Sequence, residues 1–513
     1  VEGLGHHREV GHHGHEVHVA TPARHDVNVQ VLGRIGRSNL VVFHHFTKKE
    51  IEIIEDRREA IVEATVRRAR PVVLTALAAI LATVAYAGFL PILICFVPML
   101  GIALGYQRLH AWQPSAGATY TWVGRVFNPH AGFFAGWIML LYYTVGTTSL
   151  TIPLGSYLLT LFSDEAANSP VAVAAVGTVF DVVVTAVAAL GVALSARFQL
   201  AWAIFEYALL IGFAFLAVIF IAHGHSGVVA PDSSWFTVAG AGGFKSLISG
   251  VLLAIFLYSG WDTAAYVGEE AAGQTAGRAA VTSVILLFVI YAVSVLAFQG
   301  IAPMQDMQDH AANILAFVGD RIGGGFWANV MIVAVLGGTL ASLLAAIVSA
   351  SRIGFAMGRD RVIPARLGTV SAKYGTPLFA TILFGLLNIV FLWGSTLIGA
   401  VGEALSNIVS TLGLMAAIFY LLTAATAIWC YRHQITSSAK DFVIGGLMPG
   451  LGAAFMAFVV VYSVATGSLN AVELTFGIGL ALVGLVLSVI SARVGRAPFY
   501  TDGAAAAIPE AHR

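Results

Sequence analysis

From residue 71 to residue 492 the chain alternates long apolar runs with short polar links, and each run is close to the length of a membrane-spanning helix. The pattern predicts spans at about 131–162, 170–194, 200–222, 245–266, 279–299, 326–350, 376–394, 404–431, 441–464 and 471–492. Ahead of these, Pro71 to Tyr106 is a run of 36 residues interrupted only by Gly88, Pro91 and Pro98. Two full spans need roughly 40 residues, so this run reads as a short hairpin. The total is about 12 transmembrane helices, all α, with no alternating pattern that would suggest a sheet.

Charge sets the orientation. After residue 70, alternating sides from a cytoplasmic N-terminus puts 14 Lys and Arg inside and 2, Lys245 and Arg321, outside. Both termini are therefore expected in the cytoplasm, with the protein in the cytoplasmic (inner) membrane. Composition agrees: 58% hydrophobic, 11% charged, with a mean hydropathy of +0.85, excludes a soluble globular chain. A formal net charge of zero leaves no electrostatic case for nucleic acid. Cys95 and Cys430 both lie in apolar segments and support neither a disulfide framework nor a metal site. No secretory signal peptide is visible in the polar first seventy residues.

Residues 1–47 form a His-rich segment read as a disordered cytoplasmic tail, whose only metal affinity is adventitious because no cysteine or patterned carboxylate frames a closed site. Residues 48–70 read as an amphipathic basic helix, 71–495 as the transmembrane domain and 496–513 as a C-terminal tail.

One stretch breaks the apolar regularity. Ala254 to Glu270, AIFLYSGWDTAAYVGEE, carries a Ser259-Gly260 step and a carboxylate, Asp262, near mid-depth. Lipid tolerates neither unless protein or a water-filled cavity covers them. The stretch reads as a discontinuous helix whose freed backbone groups hold a small zwitterion or anion at the bilayer midplane. It also reads as a packed kink with Asp262 hydrogen-bonded to a neighbouring helix. Asp262 is further a candidate to pair with a cationic substrate or to exchange a proton. Glu206, in WAIFEYALL, is the alternative proton carrier, and Asp181, flanked by valines, is read nearer an interface. Tyr142, Tyr143, Thr147, Thr148 and Ser149 make a polar stripe, although small hydroxyl residues also simply glue membrane helices. Thr339 and Ser342 are candidates to hold a sodium ion through hydroxyl and carbonyl oxygens.

Two resemblances follow. Glu59 to Leu81, EAIVEATVRRARPVVLTALAAIL, is similar to a cytoplasmic segment and following helix of resistance-nodulation-division efflux pumps, over about thirty residues within 48–85 and without the periplasmic domains such pumps need. PSAGATYTWVGR followed by AGFFAGW, then FLYSGWDTAAYVGEE, then SRIGFAMGRDRVIP, then GTPLFA resembles, in order, the amino acid-polyamine-organocation permeases over residues 89–495. That resemblance implies an inverted five-plus-five helix repeat with two extra C-terminal helices and with the first and sixth helices unwound at the substrate. It maps Phe256, Tyr258, Ser259, Gly260 and Asp262 onto the broken sixth helix, with Phe256 as an aromatic gate, and places Tyr143 and Thr147 beside the substrate. Glu269 and Glu270 resemble the family's acidic pair at a cytoplasmic gate. The chain departs from the pattern in its atypical first helix, 71–88, which lacks the family's glycine-rich break. The simplest account is that the native first helix has been replaced by the efflux-pump-like segment.

The expected function is secondary active transport of amino acids or related amines by alternating access, as ion-coupled symport or as exchange. The expected partners are a small-molecule substrate, a proton or sodium ion, and the lipid bilayer. No cofactor is implied. No phosphate-binding loop of the GxxxxGK[ST] form is present and no catalytic constellation assembles, so the chain reads as neither ATP-driven nor an enzyme. The alternative is a transport-deficient fusion or receptor-like permease body lacking a working first-helix substrate site.

Overall fold

The computed structural model describes Ile80 and residues 84–500, apart from 191–192, 267, 271–274, 311–313, 496 and 498. The His-rich tail, the basic segment, residues 71–79 and 81–83 of the expected first helix and the tail after 500 lie outside the described residues. Among the described residues the regular structure is helical, and eleven helices are long and apolar enough to cross a membrane.

The second half of the expected hairpin is a single helix, α1 (Phe89–Trp112), that carries Pro98 in its interior. A short buried helix, α2 (Thr119–Val126), follows. Next comes α3 (Pro129–Thr160), started by the Asn128 side chain accepting from the Ala131 N–H and by a proline at its first position. The chain continues through α4 (Pro170–Leu190), α5 (Ala193–Ala222) and α6 (Phe244–Tyr258). After α6 it breaks and resumes as the single turn α7 (Thr263–Tyr266). The remaining helices are α8 (Thr275–Phe298), α9 (Ile314–Gly323), α10 (Gly325–Arg359), α11 (Leu378–Ser395), α12 (Val401–Tyr431), α13 (Met448–Ala465) and α14 (Leu480–Gly495).

Two groups of helices meet at the centre. In one, α3, α4, α10 and α11 pack on one another; in the other, α1, α6, α8, α12 and α13 do. α3 and α10 are buried nearly all round, whereas α5, α13 and the last span turn large apolar side chains outward. A membrane span with an apolar outer face has lipid as its solvent there, so burial in protein marks the functional interior. Close approach is steric: a Cβ on Gly413 of α12 would meet the Leu252 carbonyl of α6 at 2.3 Å. The broken α6–α7 helix is thereby clamped against α12.

Candidate functional site

The break has a simple local cause. Ser259 leaves the helix in extended conformation, and its hydroxyl donates back to the Ile255 carbonyl at 2.8 Å. Gly260 follows at φ +101°, a region that side chains with a Cβ rarely adopt. Thr263 restarts the helix, and its hydroxyl donates to the Gly260 carbonyl at 2.7 Å. The Leu257 carbonyl accepts from the Tyr291 hydroxyl of α8, so neighbouring helices satisfy backbone near the break.

Asp262 braces this break. Its Oδ1 accepts from the Gly260 N–H at 3.1 Å and from the Tyr420 hydroxyl of α12 at 3.1 Å. Its Oδ2 accepts from the Tyr143 hydroxyl of α3 at 2.8 Å and from the Tyr266 hydroxyl of α7 at 2.6 Å. The carboxyl group is fully buried, and four donors account for both oxygens. Three phenols from three helices thus fix one carboxyl group, and with it the position of the break. Below it, Trp261 stacks on Tyr420 and meets Tyr106 of α1 edge to face, with ring centroids 5.3 and 4.9 Å apart. The Tyr106 hydroxyl joins Thr119, which joins Thr423, each at 2.7 Å.

On the other side of the break lies a cavity of about 60 Å³. Tyr142, Tyr143, Gly146, Ser149 and Leu150 of α3, Phe256 of α6, Ser259, Gly260 and Thr263, and Ser342, Ala345 and Ala346 of α10 line it. It has room for roughly four waters. Its walls mix hydroxyls, backbone and apolar surface, and no charged side chain is among them.

A sequence model described as amino acid permease matches residues 70–495, most of the chain. The chain belongs to this family. Relatives include the branched-chain amino acid permease BcaP of Lactococcus lactis, 24% identical over 53% of this chain and 61% of that protein. The branched-chain amino acid permease BcaP of Bacillus subtilis is 22% identical over 70% of this chain and 77% of its own. The human large neutral amino acids transporter small subunit 2 is 25% identical over 76% of this chain and 70% of its own. The chain therefore spans less than two thirds of the Lactococcus permease's length. The match to an amino acid permease begins at residue 70 and so includes the atypical 71–88 stretch. The efflux-pump resemblance of 48–85 finds no support in these comparisons.

Within the permease, Phe256, Ser259, Gly260, Tyr143 and Ser342 come together around the central cavity. Tyr258, Thr147, Thr339 and Asp262 are buried but do not line it. Tyr258 points to α1, where its hydroxyl donates to the Ile92 carbonyl at 3.0 Å. The Thr147 hydroxyl turns back to the Thr144 carbonyl at 2.5 Å. Glu206 of α5 is buried against α10, where a Cβ on Gly338 would come within 2.5 Å of its Oε2. Thr339 is the next residue along α10. The helix that restarts after the break is described over the turn Thr263–Tyr266, and residue 267 beyond it lies outside the described residues.

Glu269 lies in the turn Gly268–Glu270 at the far end of the broken helix. Its carboxylate accepts from the Ala116 N–H at 2.8 Å and pairs with Arg359 of α10 at 3.2 Å. Glu270 lies in the same turn, and its side chain is outside the described residues. Asp360, beside Arg359, accepts from the Tyr120 hydroxyl of α2 at 2.9 Å. Burial pushes the Asp360 carboxyl above its usual range, against the pull of Tyr120, Arg359 and Arg125. Sequence reasoning missed Tyr420 and Tyr266 as Asp262 partners and Asn388 altogether. Asp181, read nearer an interface, is fully buried.

Proposed function

We propose that this permease is a secondary active transporter that moves amino acids or related amines across the cytoplasmic membrane by alternating access, with both termini on the cytoplasmic side. The observation that carries this reading is the central cavity built on a helix break, between two helix groups of a chain that belongs to the amino acid permease family. A break at mid-depth offers backbone donors and acceptors to a zwitterion without placing a net charge in the membrane. The lining favours a neutral amino acid with an apolar side chain: Phe256, Tyr142, Leu150, Ala345 and Ala346 offer apolar surface, and the Asp262 carboxyl is already engaged by four donors. The relatives' names, which include branched-chain and large neutral amino acids, point the same way.

In this mechanism Phe256 closes over the bound substrate. Tyr143, Ser259, Gly260 and Ser342 contact its polar groups, and the Asp262 cluster keeps the break in place. The pairing of Glu269 with Arg359 holds the cytoplasmic side shut until the site has expanded and closed around its load.

The test is uptake of a panel of labelled amino acids and amines by proteoliposomes containing the full chain, with Asp262→Asn as the control. Saturable uptake of neutral amino acids that the variant loses supports the reading. Correct membrane insertion without uptake or exchange of any panel member overturns it and favours a receptor-like permease body.

A further inference from the structure

A second buried carboxyl group lies away from the central cavity, inside the α3, α4, α10 and α11 group. Asp181 of α4 is 0% exposed. Its Oδ1 accepts from the Asn388 side-chain nitrogen of α11 at 2.7 Å, and the Asn388 side-chain oxygen accepts from the Thr148 hydroxyl of α3 at 2.8 Å. This chain orients the amide and commits Oδ1 as an acceptor. Oδ2 is buried without a hydrogen-bond partner. One turn along the same face of α4, the Thr185 hydroxyl is also buried without a partner. It faces Gly385 of α11, where a Cβ would come within 2.4 Å of the hydroxyl oxygen.

Among the described residues, the ion pairs found, Arg108 with Asp441 and Arg359 with Glu269 and Asp360, leave this group out. Of the elements packed on α4, α3 brings Tyr142, Tyr143 and Tyr157, α10 brings Arg352, and the turn before α4 brings Glu165. The hydrogen-bond donor found on the carboxyl group among the described residues is the Asn388 amide. One neutral amide donor does not compensate a full negative charge at this depth. A proton on Oδ2 removes the charge and supplies the missing donor.

We propose that Asp181 is a proton-binding site, with the proton carried on Oδ2. Asn388 holds Oδ1 in place in both protonation states. The step is balanced: a hydronium ion gives one proton to Oδ2 and leaves water, and the O–H later returns that proton to water, with no other bond changed. At the far end of the chain, Thr148 lines a cavity of about 400 Å³ bounded by α3, α11 and α12 and the residues leading into α14. Proton binding stands on this geometry alone; its use in driving uptake rests on the transport reading above.

The experiment has two arms on the full chain in lipid. In infrared difference spectra between acidic and alkaline buffer, the parent is expected to show a protonated-carboxyl C=O band that titrates, persists in Asp262→Asn and disappears in Asp181→Asn. Should Asp181→Asn fail to fold, Asn388→Leu serves instead and is expected to shift the band by removing the hydrogen bond to Oδ1. An absent band, or one that neither variant changes, overturns the proton site. In proteoliposomes an inward proton gradient is expected to drive accumulation by the parent, while folded Asp181→Asn keeps substrate exchange and loses the gradient-driven part. Undiminished accumulation by Asp181→Asn, or coupling to sodium alone, overturns the coupling role. A titrating band in a parent that moves no amino acid would instead sink the transport reading and leave the proton site standing.

Discussion

The Tyr420 hydroxyl donates to Asp262 Oδ1 at 3.1 Å across 158 residues of chain, tying α12 to the break between α6 and α7. Tyr420→Phe removes one of four donors from a fully buried carboxyl group. Leaving a buried polar group short of a partner costs about 1–3 kcal/mol, so the variant is expected to melt earlier in detergent and keep its fold. Asp262→Asn is expected to cost more, because an amide nitrogen would then face phenol or N–H donors. Equal melting of Tyr420→Phe and parent would show that the contact does not brace the break.

Gly260 stands at φ +101°, where a Cβ is strained. Gly260→Ala is expected to cost about 1–2 kcal/mol of stability and to abolish uptake by displacing the backbone that lines the cavity. Thermal melting read beside uptake separates the two effects. A variant that transports normally would mean that the backbone at this position is not part of the site.

Phe256 lines the central cavity and meets Tyr142 edge to face, with ring centroids 6.4 Å apart. An aromatic contact of this kind is worth about 0.5–1.5 kcal/mol beyond area burial. Phe256→Ala is therefore expected to raise KM by about three- to tenfold for a neutral amino acid. Uptake kinetics check this; an unchanged KM would remove Phe256 from the site.

Glu269→Gln keeps an acceptor for the Ala116 N–H and loses the charge opposite Arg359. A partly exposed pair contributes at most about 1 kcal/mol, so the population open to the cytoplasm is expected to rise by up to about fivefold. Thiol labelling of a cysteine placed at Ala345, applied from the cytoplasmic side, reads this directly. Labelling at the parental rate would exclude the pair as a gate.

Asp360 supplies a pH dependence. Its carboxyl is raised above the unfolded value by burial, so between the two values the folded state binds the extra proton and stability falls as pH rises. The contribution is fully present below the usual carboxylate range and is lost as pH rises through the folded value. Asp360→Asn is expected to flatten the melting temperature across the window between the two values, measured as thermal unfolding against pH. A parent whose stability rises across the window would reverse the assignment.

The sequence by itself determined the membrane-spanning helical class, the spans near their observed limits, and the place where one span breaks. Those follow from local chemistry: apolar length measures a bilayer, and Ser259-Gly260 beside Asp262 cannot continue a lipid-facing helix. Phe256, Ser259 and Gly260 could be placed at the site because they belong to that same break. Only the tertiary structure decided which way the other polar residues point. α3 is buried nearly all round, so its apolar and polar positions carry no lipid-to-core contrast from which a face could be read. Tyr143 therefore reaches Asp262 while Thr147 turns back on its own helix. The pairing of Asp262 with Tyr420, and of Asp181 with Asn388 across 207 residues, depends on which helices become neighbours. In a chain where nearly every span is apolar, local pattern holds almost no information on that choice; packing does.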